Sequence, residues 1–410
     1  MNLRLRHLAD INPPTPEFDR LSPDDEVTFM PLETVWADSR VDMKRKRPKT
    51  EVSTGYTRFR NGDVVVPKVT PTFQAGRSAI AKGLLGGIGA GSTELHVLRP
   101  KLTVDARFLR YVVLSAPFLT EGVTAFQGVA GLQRVPDDFV RDFPVADIPL
   151  EEQRRIADFL DAETSRVDQL AQLRKKFRAT LFGRFDSEVK AATGRLLAWG
   201  GSRSQALPVR RVVSRVKTRA TPPSAGRNYF GENKAGVPWF APASFVGGIQ
   251  LGQPQKHLSS EAVADGVVPR FEPDSVLIVG IGATAGKVAY LDFPASGNQQ
   301  ITAIETNRLI SSKFLAWQLW AAQSEILDLA PYTTLPIVNN DFLRSFPVHV
   351  PERRVQEDIV DRIELSWRHL ADTGDAIKRQ LDLLAERRQA LITAAVTGQL
   401  DVTTARSGVR

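Results

Sequence analysis

The segment Gly280-Ile281-Gly282-Ala283-Thr284-Ala285 follows an apolar run and has the glycine spacing of a dinucleotide-binding turn. Such a turn needs a helix directly after it, whose N-terminus meets the pyrophosphate. The next residues are Lys287-Val288-Ala289-Tyr290-Leu291 and then Pro294, which read as a strand. No acidic residue stands about 20 positions on in a βαβ setting to take a ribose hydroxyl. The stretch from Gly282 to Gly286-Lys287 is one residue short of a P-loop, and Val288 replaces the Ser or Thr that would hold magnesium. The expectation is a tight turn between strands that carries Thr284 and Lys287 toward a phosphate. The five histidines, at 7, 96, 257, 349 and 369, include no pair with metal-ligand spacing. No Ser-His-Asp set and no carboxylate pair can be placed. The chain has no cysteine, which excludes disulfides, thiolate catalysis and cysteine-based zinc sites.

Asn12-Pro13-Pro14-Thr15 resembles the Asn-Pro-Pro-aromatic motif of DNA amino-methyltransferases. There the Asn and a backbone carbonyl orient an amino group while the aromatic ring stacks on a flipped base. The fourth residue here is Thr, and no cofactor-binding strand and glycine loop precede it, so a turn is the better reading.

The remaining polar content is basic. Lys and Arg outnumber Asp and Glu by 54 to 46, a formal charge of +8. An excess of this sign suits a polyanion, nucleic acid above all. Lys44, Arg45, Lys46, Arg47 and Lys49 form a dense cationic run able to neutralise phosphates. Tyr56, Arg58, Lys68, Thr70 and Arg77 lie near it in sequence, with Arg60 among them. Arg227, Asn228, Tyr229 and Lys234 form a similar set in the second half, with Thr284 and Lys287 beyond. Arg, Asn, Gln and Thr are the side chains that read base edges. A solvated surface loop remains the competing reading for the run.

These residues sit in a chain that repeats itself. Asp138, Phe139, Arg141, Phe143, Pro144 and Val145 recur as Asp341, Phe342, Arg344, Phe346, Pro347 and Val348, an offset of 203. Gln153, Ile156 and Asp158 match Gln356, Ile359 and Asp361 in the same register. AATGRL at 191–196 matches AVTGQL at 395–400, and FLRYVVLS at 108–115 resembles FLAWQLWA at 314–321. The period is about half the chain, so this is a duplication rather than a short-period solenoid.

Each half closes with a long helix. From residue 151, Ile156, Leu160, Val167, Leu170, Phe177 and Leu181 fall at helical spacing, and Glu151 and Glu152 occupy the first turn, where the helix dipole favours anions. Over 352–397, Ile359, Ile363, Trp367, Leu370, Ile377, Leu381, Leu384, Leu391 and Ala395 follow heptad steps, with Gly374 and Arg388 in two seam positions. Gly374 is a place for a kink. Two such helices in one chain can pair antiparallel. The competing reading lays each on its own globular part. Those parts carry short apolar runs separated by Gly and Pro: GDVVVPKVT, TELHVL, SVLIVGIG, KVAYL and ITAIET. The fold class expected is α+β, with two globular domains alternating with two long helices and an internal pseudo-two-fold. The boundaries expected are 1–148, 149–199, 200–350 and 351–410. With 42% hydrophobic and 24% charged residues, the chain reads as globular. No apolar run approaches membrane-spanning length and no export signal is evident, so the cytoplasm is the expected location.

At the paired FPV–helix units the sequence is similar to the specificity subunit of type I restriction–modification systems. The residues that carry this are Phe143-Pro144-Val145 leading into Ile148-Pro149-Leu150-Glu151-Glu152-Gln153-Arg154-Arg155-Ile156, and Leu391-Ile392-Thr393-Ala394-Ala395-Val396-Thr397-Gly398-Gln399-Leu400. The second unit departs at Pro351-Glu352-Arg353-Arg354-Val355-Gln356, with Val before the Gln. The resemblance implies a subunit without catalysis of its own, in which each globular domain reads one half of a bipartite double-stranded DNA site. It implies that the helices set the spacer and dock methyltransferase subunits, two of them, which hold S-adenosylmethionine. A restriction subunit, where one joins, uses ATP and magnesium. Two other readings stay open: a coiled-coil interaction scaffold and a self-contained DNA-modifying enzyme.

Overall fold

The computed structural model describes residues 2–35, 42–128, 133–194, 205–218, 229–231, 236–259, 262, 270–331 and 337–402. It forms two compact units, Met1–Lys175 with Ile377–Arg410, and Lys176–Ala376. Both are mixtures of strand and helix.

In the first unit one sheet has the order Ala9–Ile11, Leu95–Pro100, Val64–Pro67, Ala79–Ile80. Val64–Pro67 is buried throughout, which is why its sequence is a valine run rather than an alternation. A second sheet runs Lys46–Pro48, Glu26–Met30, Ile88–Gly91, Thr57–Arg60, with Glu26–Met30 parallel to Ile88–Gly91. The helix Ala106–Leu114 begins at Asp105, whose side chain accepts from the amides of Arg107 and Phe108. It buries Phe108, Leu109, Val112 and Val113 against the first sheet and against Ile156 and Leu160 of the long helix. The motif around Phe143 is the joint: Pro144–Ala146 pairs antiparallel with Asn2–Arg4, and the Leu5 amide donates to the Phe143 carbonyl at 2.9 Å.

The second unit repeats this plan. One sheet runs Val213–Thr218, Ile301–Thr306, Ser275–Val279, Val288–Leu291. Another contains Val237–Phe240 parallel to Ser296–Gly297. Pro347–Val350 pairs with Gln205–Pro208, and the Val209 amide donates to the Phe346 carbonyl at 2.9 Å.

The long helices are Leu150–Ala192 and Arg353–Val396. Gly194 and Gly398 adopt φ of 78° and 73° just past their ends. Such left-handed caps suit glycine, which accounts for the repeated Thr-Gly. Two buried glutamines fix the starts. The Gln153 side chain accepts from the Asp105 amide at 3.0 Å and donates to the Ile148 carbonyl at 2.7 Å. The Gln356 side chain accepts from the Ser311 amide at 2.7 Å and donates to the Pro351 carbonyl at 2.8 Å. Each ties its long helix to the first turn of the shorter helix beside it.

Within the first unit, Ile156 and Leu160 share a core with Ile392, Ala395 and Val396, and Arg388 pairs with Asp168 at 3.2 Å. Within the second, Phe185 and Val189 share a core with Ile359, Val360 and Ile363, and Ser366 Oγ donates to Glu188 at 3.0 Å. Burying each of the larger apolar side chains contributes about 1.5–3 kcal/mol.

Two expectations about the helices need correction. Leu170 and Phe177, grouped with Ile156 by helical spacing, are each 48% exposed, while Ile156, Leu160, Val167, Ile359, Ile363 and Ile377 are buried and Leu370, Leu381, Leu384 and Leu391 half-buried. The buried face of the first helix continues from Val167 to Phe185 and Val189. Val167 and Phe185 lie about five turns apart at 3.6 residues per turn, so they share a face, and Leu170 and Phe177 are rotated off it by roughly 60–80°. The second helix runs through Gly374 without a break, and a side chain there would meet open space.

Candidate nucleic-acid interface

The cationic run forms the edge strand Lys46–Pro48 and its approaches, and most of its charge is already engaged. Arg45 pairs with Glu33 at 3.2 Å and Lys46 with Glu26 at 3.4 Å. Arg47 pairs with Glu51 at 3.4 Å and lies 4.4 Å over the Phe29 ring, against which Tyr56 packs edge-on. Lys49 Nζ donates to the carbonyls of Asp19 and Leu21, and Arg58 pairs with Asp19 at 2.7 Å. Arg60 pairs with Glu17 at 2.8 Å. Lys44 is exposed. The run therefore carries a smaller net field than its sequence suggests, because Glu26, Glu33 and Glu51 fold onto it.

Arg77 and Lys287 occupy matching places. Arg77 Nη1 donates to the Val35 carbonyl at 3.4 Å, and Lys287 Nζ to the Phe245 carbonyl at 3.3 Å. Val35 and Phe245 each close a short 3-10 turn, Leu32–Thr34 and Pro242–Ser244. Each cation lies just before a strand, Ala79–Ile80 or Val288–Leu291, and ties it to that turn. Gly280–Gly286 is a tight turn between the strands Ser275–Val279 and Val288–Leu291, with no helix after it. Thr284 is half-buried there. Lys68 and Thr70 lie in the corresponding turn of the first unit, and the Thr70 amide donates to the Gln133 carbonyl at 3.3 Å. Tyr229 is half-buried against the cluster of Trp239 and Leu258. Arg227, Asn228 and Lys234 lie outside the described residues.

A further matched feature was not singled out by the sequence. Leu5 and Val209 occupy equivalent positions, so Arg6 corresponds to Arg210, one residue on. Arg141 and Arg344, identical in the repeated motif, are exposed on the short helices Asp137–Asp142 and Asn340–Ser345. Each of these helices packs beside the segment bearing Arg6 or Arg210. Arg6 pairs with Asp142, which Ser345 replaces in the second unit, where Arg210 is exposed.

Asn12 is a structural joint. Its Oδ1 accepts from the Val97 amide at 2.8 Å and its Nδ2 donates to Asp137 at 2.8 Å, beside the buried His96 ring. Burial holds the His96 imidazole below its usual range, against an opposing pull from the Val135 carbonyl and Asp137. In the second unit Thr218, Thr302 and Asn340 form the corresponding cluster, with Thr218 Oγ1 donating to Asn340 at 2.8 Å. Among the described residues no group of three or more His, Asp or Glu is placed to hold a metal, and no helix is long and apolar enough to cross a membrane.

Residues 216–369 match the family model described as "Type I restriction modification DNA specificity domain". Those residues, within the second unit, are similar to that specificity domain. The chain is 38% identical over 171 residues to the type I restriction enzyme EcoAI specificity subunit of Escherichia coli, a stretch covering 41% of this chain and 28% of that one. The match thus spans less than a third of the relative's length. The fold is similar over 98% of both chains to a structure from a study of assembly and conformational transition of the type I R-M system, at a TM-score of 0.78 and 19% identity. It is also similar to the HsdS subunit of Thermoanaerobacter tengcongensis, at a TM-score of 0.53 and 18% identity, covering 98% of this chain and 97% of that one.

The match to the specificity domain begins on the edge strand Val213–Thr218 and ends within the second long helix. It therefore includes the Gly280–Gly286 turn and the repeated short helix with Arg344. The first unit has the counterparts of this sheet, turn and short helix in the same order, and two of its residues give no signal in the sequence. Glu94 and Arg134 form a bidentate pair at 2.6 and 2.8 Å although 40 positions separate them. A lone arginine between Gln133 and Val135 gives no sequence signal.

Proposed function

We propose that this chain is the DNA-recognition subunit of a type I restriction–modification complex. The observation that carries the reading is the recurrence of one scaffold in both units, down to matched backbone bonds, each joined to a long helix. Each globular part reads one half of a bipartite double-stranded target. The two helices pair as an antiparallel coiled coil, related by a pseudo-two-fold, and set the spacer between half-sites. Two weak readers on a stiff spacer gain affinity through effective concentration only when the spacing fits. Methyltransferase subunits, two of them, dock along the helices, and the exposed Leu170, Leu173 and Phe177 suit such a partner surface. Those subunits hold S-adenosylmethionine and flip the target base. A restriction subunit, where one joins, contributes ATP- and magnesium-dependent cleavage. This chain adds no catalytic group, and the complex works in the cytoplasm.

The test is a map of adenine methylation in the source cell with and without the gene. Loss of one split motif, two short blocks around a fixed gap, supports the reading. An unchanged map, with the chain and its partners expressed, refutes it.

A further inference from the structure

We propose that Arg134 reads a guanine in the half-site contacted by the first unit, held for that task by Glu94. This assignment rests on the DNA-recognition reading above and specifies one base within it.

The same frame of backbone bonds is present in both units. The Lys68 amide donates to the Glu94 carbonyl at 2.9 Å, and the Gly280 amide to the Gln300 carbonyl at 2.7 Å. The Val135 amide donates to the Lys68 carbonyl, and the Val338 amide to the Gly280 carbonyl, both at 2.8 Å. Val69 bridges Arg134, as Ile281 bridges Ile337. The Glu94 amide donates to Ser92 Oγ at 3.2 Å, and the Gln300 amide to Asn298 Oδ1 at 3.1 Å. Three chain segments are thus gathered at one end of each first sheet by the same backbone bonds.

The side chains on this frame have diverged. Lys68, Glu94 and Arg134 of the first unit correspond to Gly280, Gln300 and Ile337 of the second. Two readers of different base sequences need this combination of a constant backbone and changed side chains.

Arg134 has the geometry of a base reader. Its Nε and Nη2 donate to the two Glu94 oxygens at 2.8 and 2.6 Å, which uses the long edge of the guanidinium. The opposite end, Nη1 with the second hydrogen of Nη2, is the edge that fits guanine O6 and N7. The arginine is 44% exposed while its carboxylate partner is 24% exposed, so the pair is anchored on the Glu94 side. Glu94 adjoins the strand Leu95–Pro100 and is fixed through its own amide and carbonyl. Holding the side chain in advance removes rotamer entropy that binding would otherwise have to cover. In the second unit Ile337 lacks a side-chain donor, and the Gln300 side chain donates to the Ile281 carbonyl at 3.3 Å. The guanine reading therefore belongs to one half-site only.

The experiment selects binders from a pool of duplexes with randomised blocks, using the chain in complex with its modification subunits. The wild-type complex is expected to select guanine at a position in one block. Arg134→Gln should relax preference at that position by roughly 5- to 150-fold, leaving the other block unchanged. Arg134→Lys should relax it as well, because a point charge cannot form the bidentate pair. Glu94→Gln, with Arg134 intact, should relax it partially. Wild-type selectivity in Arg134→Lys, or uniform weakening of all sequences by Arg134→Gln with a shallower salt dependence, would mark Arg134 as a phosphate ligand and overturn the assignment. A wild-type complex that selects no sequence overturns the recognition reading itself.

Discussion

Gln356→Leu tests the joint that makes each globular part and its long helix one body. The Gln356 side chain is fully buried. It accepts from the Ser311 amide at 2.7 Å and donates to the carbonyls of Leu309 at 2.9 Å and Pro351 at 2.8 Å. Leucine nearly conserves volume, so the change acts on hydrogen bonding rather than on packing. It removes the partner of three part-buried backbone groups, each costing about 1–3 kcal/mol where water does not replace that partner. With partial relaxation the expected loss is about 3–6 kcal/mol. For a unit of this size that lowers the melting temperature by roughly 10–20 °C. Urea unfolding followed by tryptophan fluorescence measures it directly, since Trp239, Trp317, Trp320 and Trp367 all lie in the second unit. Asp361→Ala, at an exposed position just over one turn further along the helix, serves as control and should stay within about 0.5 kcal/mol of wild type. A Gln356→Leu variant within about 1 kcal/mol of wild type would refute the reasoning, because the three groups would then have found other partners.

Replacing Arg210 and Arg344 together with alanine should weaken binding to all DNA sequences alike and reduce the salt slope by about 1 for each phosphate no longer neutralised; unchanged slopes in a salt-graded titration would remove this corner from the DNA path. Gly248→Ala should destabilise by about 1–3 kcal/mol in thermal melts, since Gly248 has φ of 55° and an added Cβ would approach the Trp367 ring to 2.7 Å. A pH dependence arises from His96, whose folded-state affinity for a proton is lowered by burial. The unfolded histidine protonates near pH 6.5, so below that value the unfolded chain binds more protons and stability falls with pH. Urea midpoints should therefore drop between about pH 7 and pH 5, and His96→Gln should flatten that slope; an equal slope in the variant would contradict it.

The parts of the fold visible in the sequence were those with local causes. Thr-Gly at 193–194 and 397–398 marks helix ends because a left-handed cap favours glycine, and the apolar runs at 64–67 and 275–279 mark central strands because both faces are covered. The parallel partners in the second sheets were not visible, because Ile88–Gly91 and Ser296–Gly297 are poor in strand-forming side chains. Gly89 is required there by the Phe59 ring, which an added Cβ would approach to 2.4 Å, a constraint that exists only after folding. Electrostatics were legible only as a sum. Sequence showed the density of cations at 44–49 but neither the acids that fold onto them nor Asp19, which takes the nearby Arg58 from 39 positions away. It also passed over Arg134, whose carboxylate partner is equally remote.

Duplication supplies a control that a single domain lacks. Two units built on one frame that, as proposed, face different bases should agree wherever they meet something common and differ wherever they meet something particular. Arg141 and Arg344 agree, as do Arg6 and Arg210, and the feature shared by any two half-sites is the phosphate backbone, which carries no sequence information. Glu94 and Arg134 differ from Gln300 and Ile337 on backbone positions held by the same bonds. The cationic run at 44–49, most prominent in the sequence, has its charge largely matched by nearby acids, so by this criterion it ranks below the single arginine at 134 as a source of specificity. Moving the pair, by placing glutamate at Gln300 and arginine at Ile337, would therefore be expected to add a guanine preference to the second block. A double variant that folds, binds and selects the old motif would show that the frame alone does not determine which side chain reaches the bases.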